Sequence, residues 1–119
     1  MKGNIFETQY GQISLSEQVI ATIAGISAIE CYGLVGMASR RLKDGINEIL
    51  RKEDLSKGVE IKVSEDKLVI ELYIIVSYGT KISVVAHNVM EKVKYTVEYY
   101  TGLEVEEVNI NVQGVRVQE

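Results

Sequence analysis

One segment constrains the fold more than any other. Leu68, Ile70, Leu72, Ile74 and Val76 hold a period of two over nine residues, the alternation of a strand with one buried face. Such a strand needs neighbours to bond it and a second layer to cover it. Val59, Ile61 and Val63 alternate with Glu60, Lys62 and Ser64 just before it, and Ser64–Lys67 holds a turn at Glu65 and Asp66. The two runs are expected to form a hairpin.

Two further strands and three helices complete the expected order. Tyr10–Ser14 reads as a short strand. Ser16 then suits a helix N-cap with Glu17 at the positive end, while Ser14-x-x-Glu17 is a competing capping box. This first helix runs to about Cys31. Its main stripe is Val19, Ile20, Ile23 and Ile26, and its other side holds Ala21, Ala24, Gly25 and Ala28. Gly33 suits the left-handed position that ends a helix. Arg41–Lys52 reads as a second helix on the stripe Leu42, Ile46, Ile49, Leu50, weakened by Gly45 by about 1 kcal/mol relative to Ala. Gly79 and Thr80 are expected to cap a long helix, Lys81–Thr101, with Ile82, Val85, Ala86, Val89, Val93, Thr96 and Tyr100 on one face. Gly102 ends it. Glu104–Val115 is a last strand that buries Val108, Ile110 and Val112 and exposes Asn109, Asn111 and Gln113.

The order is β-α-α-β-β-α-β. It fits an α+β fold with a small mixed sheet of three to four strands and helices packed mainly on one face. The crossover through the long helix fits a right-handed βαβ unit. No linker or repeat divides residues 1–119, so one domain is expected, with an ordered core of about residues 8–117.

The composition narrows the chemistry. The 119 residues include one Cys, one His, no Trp and no Pro. A disulfide framework is impossible, a His/Cys zinc site has at most two ligands, and a Ser-His or Cys-His pair has only His87 to use. The net charge is −4, all of it in residues 58–119, so no global pull toward nucleic acid or anionic lipid exists. Val19–Ile29 is too short to span a bilayer, and the first ten residues lack a signal-peptide apolar region. A cytoplasmic protein with a reduced Cys31 is expected.

Several groups merit weighing as sites. The outward face of the long strand reads Val69, Glu71, Tyr73, Ile75, Ser77, with three of five apolar or aromatic. Scattered surface hydrophobes explain this, as does a covering partner. Ala21 and Gly25 allow close approach of another helix, either the long helix of the same domain or one from a second chain. Gly33-Leu-Val-Gly36 between two helices, followed by Arg40 and Arg41, suggests a KH-like clamp on a nucleic-acid backbone, although Leu34 and Val35 are not phosphate-facing types. Glu104, Glu106 and Glu107 form an acidic cluster at a strand start. His87 falls on the solvent side of its helix with no metal partner at helical spacing. Tyr95 and Tyr99, one turn apart, could stack on a ligand or partner.

The whole pattern is more specific than its parts. Gly11–Gly25, Gly33-Leu-Val-Gly-Met37, Val76-Ser-Tyr-Gly79, Thr101-Gly-Leu103 and Val108-Asn-Ile-Asn-Val-Gln-Gly-Val115 together resemble the bacterial alkaline shock protein family, in particular its short YloU-like members, over about residues 8–117. Cys31 and Tyr32 stand where such proteins often carry Val-Pro. The resemblance implies a small non-enzymatic protein linked to cell-envelope stress, with larger relatives held near the membrane by a partner protein. It carries over no catalytic, cofactor or metal residue. The expectation is an interaction protein that self-associates or docks a protein partner, without direct membrane insertion. It would act through Val69, Tyr73 and Ile75 or through Ala21 and Gly25. Nucleic-acid binding through Gly33, Gly36, Arg40 and Arg41 is the alternative.

Overall fold

A computed structural model describes residues 3–8, 11–39 and 49–117. Its elements are β1 (Gly3–Thr8), β2 (Gly11–Ser16), α1 (Glu17–Ile29), β3 (Leu34–Met37), a 3-10 segment (Lys52–Gly58), β4 (Val59–Ser64), β5 (Lys67–Ser77), α2 (Ile82–Thr101) and β6 (Val105–Arg116).

The alternating strand β5 is the spine of the domain. It pairs antiparallel with β4 over residues 67–72 and antiparallel with β3 over residues 74–76. β6 lies parallel along its other edge from Leu68 to Ser77. The result is a mixed four-stranded sheet, within the three to four strands expected, but with β3 in it and the expected Tyr10–Ser14 strand outside it. The β4–β5 turn places Glu65 and Asp66 at φ 50° and 67°, the left-handed pair that a tight two-residue hairpin requires. Leu68, Ile70, Leu72, Ile74 and Val76 are buried in one core with Ile20, Ala24 and Ala28 of α1 and Val85, Val89, Val93 and Val97 of α2. Both helices therefore cover the same sheet face, and burial of that face is the main stabilising term.

Some elements depart from expectation. β1 and β2 form a separate antiparallel hairpin, with Phe6 opposite Ile13; only the second strand was legible. The segment after Gly33 is not a loop between helices but strand β3. The expected helix Arg41–Lys52 falls largely outside the described residues; at its end, residues 49–51 are not helical and Lys52 opens the 3-10 segment. Ile49 bridges Ala38, and the Leu50 amide donates to the Met37 carbonyl at 2.7 Å. A strand edge with open carbonyls satisfies these amides as well as a helix does. Thr80 does not cap α2 either: its hydroxyl donates to the Ser77 carbonyl at 2.6 Å, and Lys81 holds the N-cap position.

The buried face of each helix is also rotated from the one expected. On α2, Val85, Val89, Val93, Val97 and Thr101 are buried, while Ile82 and Tyr100 are exposed. On α1 the small side is the inner one. Ala21, Ala24, Gly25 and Ala28 are buried with Ile20, while Val19 and Ile26 are exposed. The reason lies at Gly25, where an added Cβ would stand 3.0 Å from the Leu55 Cβ. The 3-10 segment lies against α1 so closely that only small residues fit there. On β6, Val112 is exposed, and only Val108 of the expected trio is fully buried.

Candidate functional site: a groove between the two helices

The residues singled out in the sequence separate into distinct places. Ile75 is completely buried, so it offers no outward surface. Val69 and Tyr73 on the same strand face are half-buried. Between them Glu71 accepts hydrogen bonds from the Asn109 and Asn111 side-chain amides, the latter at 3.2 Å. Asn111 also donates to the Leu72 carbonyl at 3.2 Å. This open sheet face is a satisfied polar network stitching β5 to β6, more than an apolar patch. Ala21 and Gly25 are buried on the inner side of α1, where Gly25 meets Leu55 of the 3-10 segment. Gly33 has φ 89° and Gly36 sits inside β3, opposite Ile75. Arg40 and Arg41 lie outside the described residues.

The titratable groups do not converge. His87 Nε2 lies 3.1 Å from Glu91 Oε1 on the exposed side of α2. Glu104 pairs with Lys67 at 3.0 Å, and that hydrogen bond raises the lysine above its ordinary range. Glu106 and Glu107 are exposed. Burial pushes the Cys31 thiol up, Lys92 opposes this, and Glu30 adds to it. Among the described residues no group of three or more His, Cys, Asp or Glu side chains is placed to hold a metal ion. No helix among them is long and apolar enough to cross a membrane.

What the structure does bring together is an aromatic and aliphatic groove. It encloses about 470 Å³ between α1 and α2 and is lined by Ile23, Ile26 and Glu30 on one side and Lys92, Tyr95, Tyr99 and Tyr100 on the other. Tyr95 and Tyr99 stack with ring centroids 6.1 Å apart, and Tyr100 meets Tyr99 edge-on at 5.0 Å. These rings are 64%, 71% and 70% exposed. Lys92 and Glu30 face each other across the groove at 3.7 Å. The Tyr95/Tyr99 spacing was visible in the sequence. The α1 wall was not, because the Val19/Ile23/Ile26 stripe looked like the core side.

The fold and this pattern define an α+β domain of a known class. The chain belongs to the alkaline shock protein 23 family, described as having a cell envelope-related function, and matches its model over residues 6–117. The resemblance read from the glycine pattern is thereby borne out. Uncharacterized protein YloU of Bacillus subtilis (strain 168) is 60% identical over 111 residues, 92% of each chain. An uncharacterized protein of Streptococcus pyogenes serotype M6 is 44% identical over 111 residues, again 92% of each. A stress response regulator gls24 homolog of Streptococcus pyogenes serotype M3 is 24% identical over 109 residues, covering 92% of this chain and 61% of that protein. In fold the chain is similar to the MamM CTD in its copper form, with a TM-score of 0.51 at 11% identity, covering 86% of this chain and 89% of that one.

Proposed function

We propose that this protein is a non-enzymatic interaction module of the cell envelope, linked to envelope stress, cytoplasmic, and brought to the membrane by a partner instead of inserting itself. The observation that supports this reading is the groove between α1 and α2. Three exposed tyrosines and the exposed Ile26 form one apolar band outside the core that the described residues build. Tyrosine offers a large contact area at low conformational cost, and such clusters mark binding surfaces. The groove would receive an apolar surface of another protein.

In-cell photo-crosslinking tests this. A benzophenone amino acid replaces Tyr95 or Tyr99, with Lys57 as an exposed control on the 3-10 segment. The expected result is discrete protein adducts from positions 95 and 99 that are absent at 57, identified by mass spectrometry as envelope proteins or as this chain. Adducts at the groove no stronger than at the control would overturn the reading.

A further inference from the structure

Resting on that reading, we infer that the occupant of the groove is a second copy of this chain, related by a two-fold axis that runs along the groove. The argument starts from direction. Glu30 near the end of α1 faces Lys92 in the middle of α2, while Ile23, earlier in α1, shares the groove with Tyr99 and Tyr100 at the end of α2. The two helices are therefore antiparallel.

A two-fold axis along their groove lays α2 of one copy over α1 of the other, again antiparallel. The result is a four-helix bundle in which every neighbouring pair alternates in direction. Positions along the axis are preserved by this operation, and that makes the surface complementary to itself. Lys92 of one copy comes to lie over Glu30 of the other, so the facing pair becomes a ring of two carboxylates and two ammoniums in alternation. Tyr95 and Tyr99 of one copy come over the Ile26 and Ile23 wall of the other, aromatic face on aliphatic wall. The two grooves close into one apolar channel that their own rings fill.

The charges near the groove favour a like partner. Glu30, Glu91, Lys92, Lys94 and Glu98 sum to −1 in a chain of net −4. Two copies meeting here bring little like charge together. A strongly basic or acidic partner finds no matching field on this face.

Sedimentation equilibrium of the purified chain tests the proposal directly. The wild type is expected to dimerise reversibly. Tyr99→Glu, at an exposed position that leaves folding intact by circular dichroism, raises the dimer dissociation constant at least about tenfold, because the symmetry counts each substitution twice. Lys62→Glu on the open sheet face leaves the constant unchanged. A charge-swap pair supplies a readout that intrachain packing cannot give. Glu30→Lys chains and Lys92→Glu chains each self-associate more weakly than wild type, yet mixed together they form heterodimers in preference to either homodimer.

A chain that stays monomeric up to about 1 mM overturns the inference. A dimer indifferent to Tyr99→Glu, or no heterodimer preference in the mixture, does the same. Groove crosslinks to other proteins with none to this chain also overturn it, while the reading of the groove as a docking surface stands. Absence of any groove crosslink removes both.

Discussion

Gly33 and Gly102 both hold left-handed backbone, with φ of 89° and 73°, but their surroundings differ. A Cβ added at Gly102 meets nothing within 4 Å; one added at Gly33 lies 2.6 Å from Val85 Cγ2. Gly102→Ala therefore isolates the backbone cost. Left-handed placement costs an L-residue about 1–2 kcal/mol, and the narrower unfolded ensemble of alanine offsets about 0.4–1 kcal/mol of it. The net loss is about 1 kcal/mol. Gly33→Ala carries the same backbone cost and adds a clash about 1 Å inside ordinary carbon–carbon contact. Val85 is buried on α2 and cannot swing away, so overpacking contributes a further cost of about 1–3 kcal/mol. Urea unfolding followed by far-UV circular dichroism should show Gly33→Ala losing about 2–4 kcal/mol, with an unchanged dependence on urea. Trimming Val85 to Ala in the Gly33→Ala chain should cost less than the two single losses summed, because it removes the clashing methyls. Equal losses at Gly33 and Gly102, or strict additivity with Val85→Ala, would refute the assignment of close packing at the α1 exit.

Other perturbations follow from the same geometry. Leu72→Ala at the fully buried centre of β5 should cost about 2–5 kcal/mol in the same urea assay, since cavity and transfer terms add. Glu71→Ala leaves the Asn109 and Asn111 amides without their carboxylate and should lower stability by about 1 kcal/mol, with the Asn111 side-chain amide exchanging faster by NMR. Cys31 should react slowly with iodoacetamide at pH 8 and at an ordinary thiol rate once unfolded. Its folded pKa is raised above the 9.0 of the free thiol, so the folded chain holds the proton more tightly. The linked stability is intact below pH 9.0 and is lost as pH rises from there through the folded value. A stability that climbs over that window would contradict the burial argument.

The sheet was readable because its signal is local. Period-two alternation in β5 and β4 and the Glu65-Asp66 turn need nothing beyond neighbours in sequence, and the register followed. Gly102 was legible for the same reason, since a left-handed helix exit is decided within a turn; Gly33 is left-handed as expected, but α1 already stops at Ile29, and Gly33 sits in the turn after it, where the Leu34 amide donates to the Cys31 carbonyl. The helix faces were legible only in part: Ile20 of α1 and Val85, Val89 and Val93 of α2 are buried as expected, while Val19, Ile26, Ile82 and Tyr100 are exposed. Hydrophobicity alone ranks Val19, Ile20, Ile23 and Ile26 as the inner side of α1; Ile20 is buried there, but the rest of the inner side is decided by how closely Leu55 approaches Gly25, a contact far away in sequence. β3 was missed because four residues carrying Gly36 give little strand signal until β5 offers them an edge. Of the groove, only the tyrosine spacing on α2 could be seen in advance.

The two outer surfaces of the domain are built on different terms. On the sheet side, Glu71, Asn109 and Asn111 bond one another, Glu60 and Lys62 stand across on β4, and β6 carries irregularities opposite Leu68/Val69 and Ile74/Ile75 that disrupt its edge against further pairing. Water can cover that side without loss. The helix side is the consequence of a packing choice made inside. Seating α1 on the 3-10 segment requires its Ala/Gly side to face inward, which turns Val19, Ile23 and Ile26 toward α2 and solvent. Val19 and Ile26 are left 45% and 41% exposed, and Tyr95, Tyr99 and Tyr100 more so. Polar residues at the three tyrosine positions would lower the exposed apolar area of the helix side. Folding of this domain alone gains little from the three exposed rings. The proposed closure of the groove by another protein surface would gain more, because the area left open in one chain is the area that association buries.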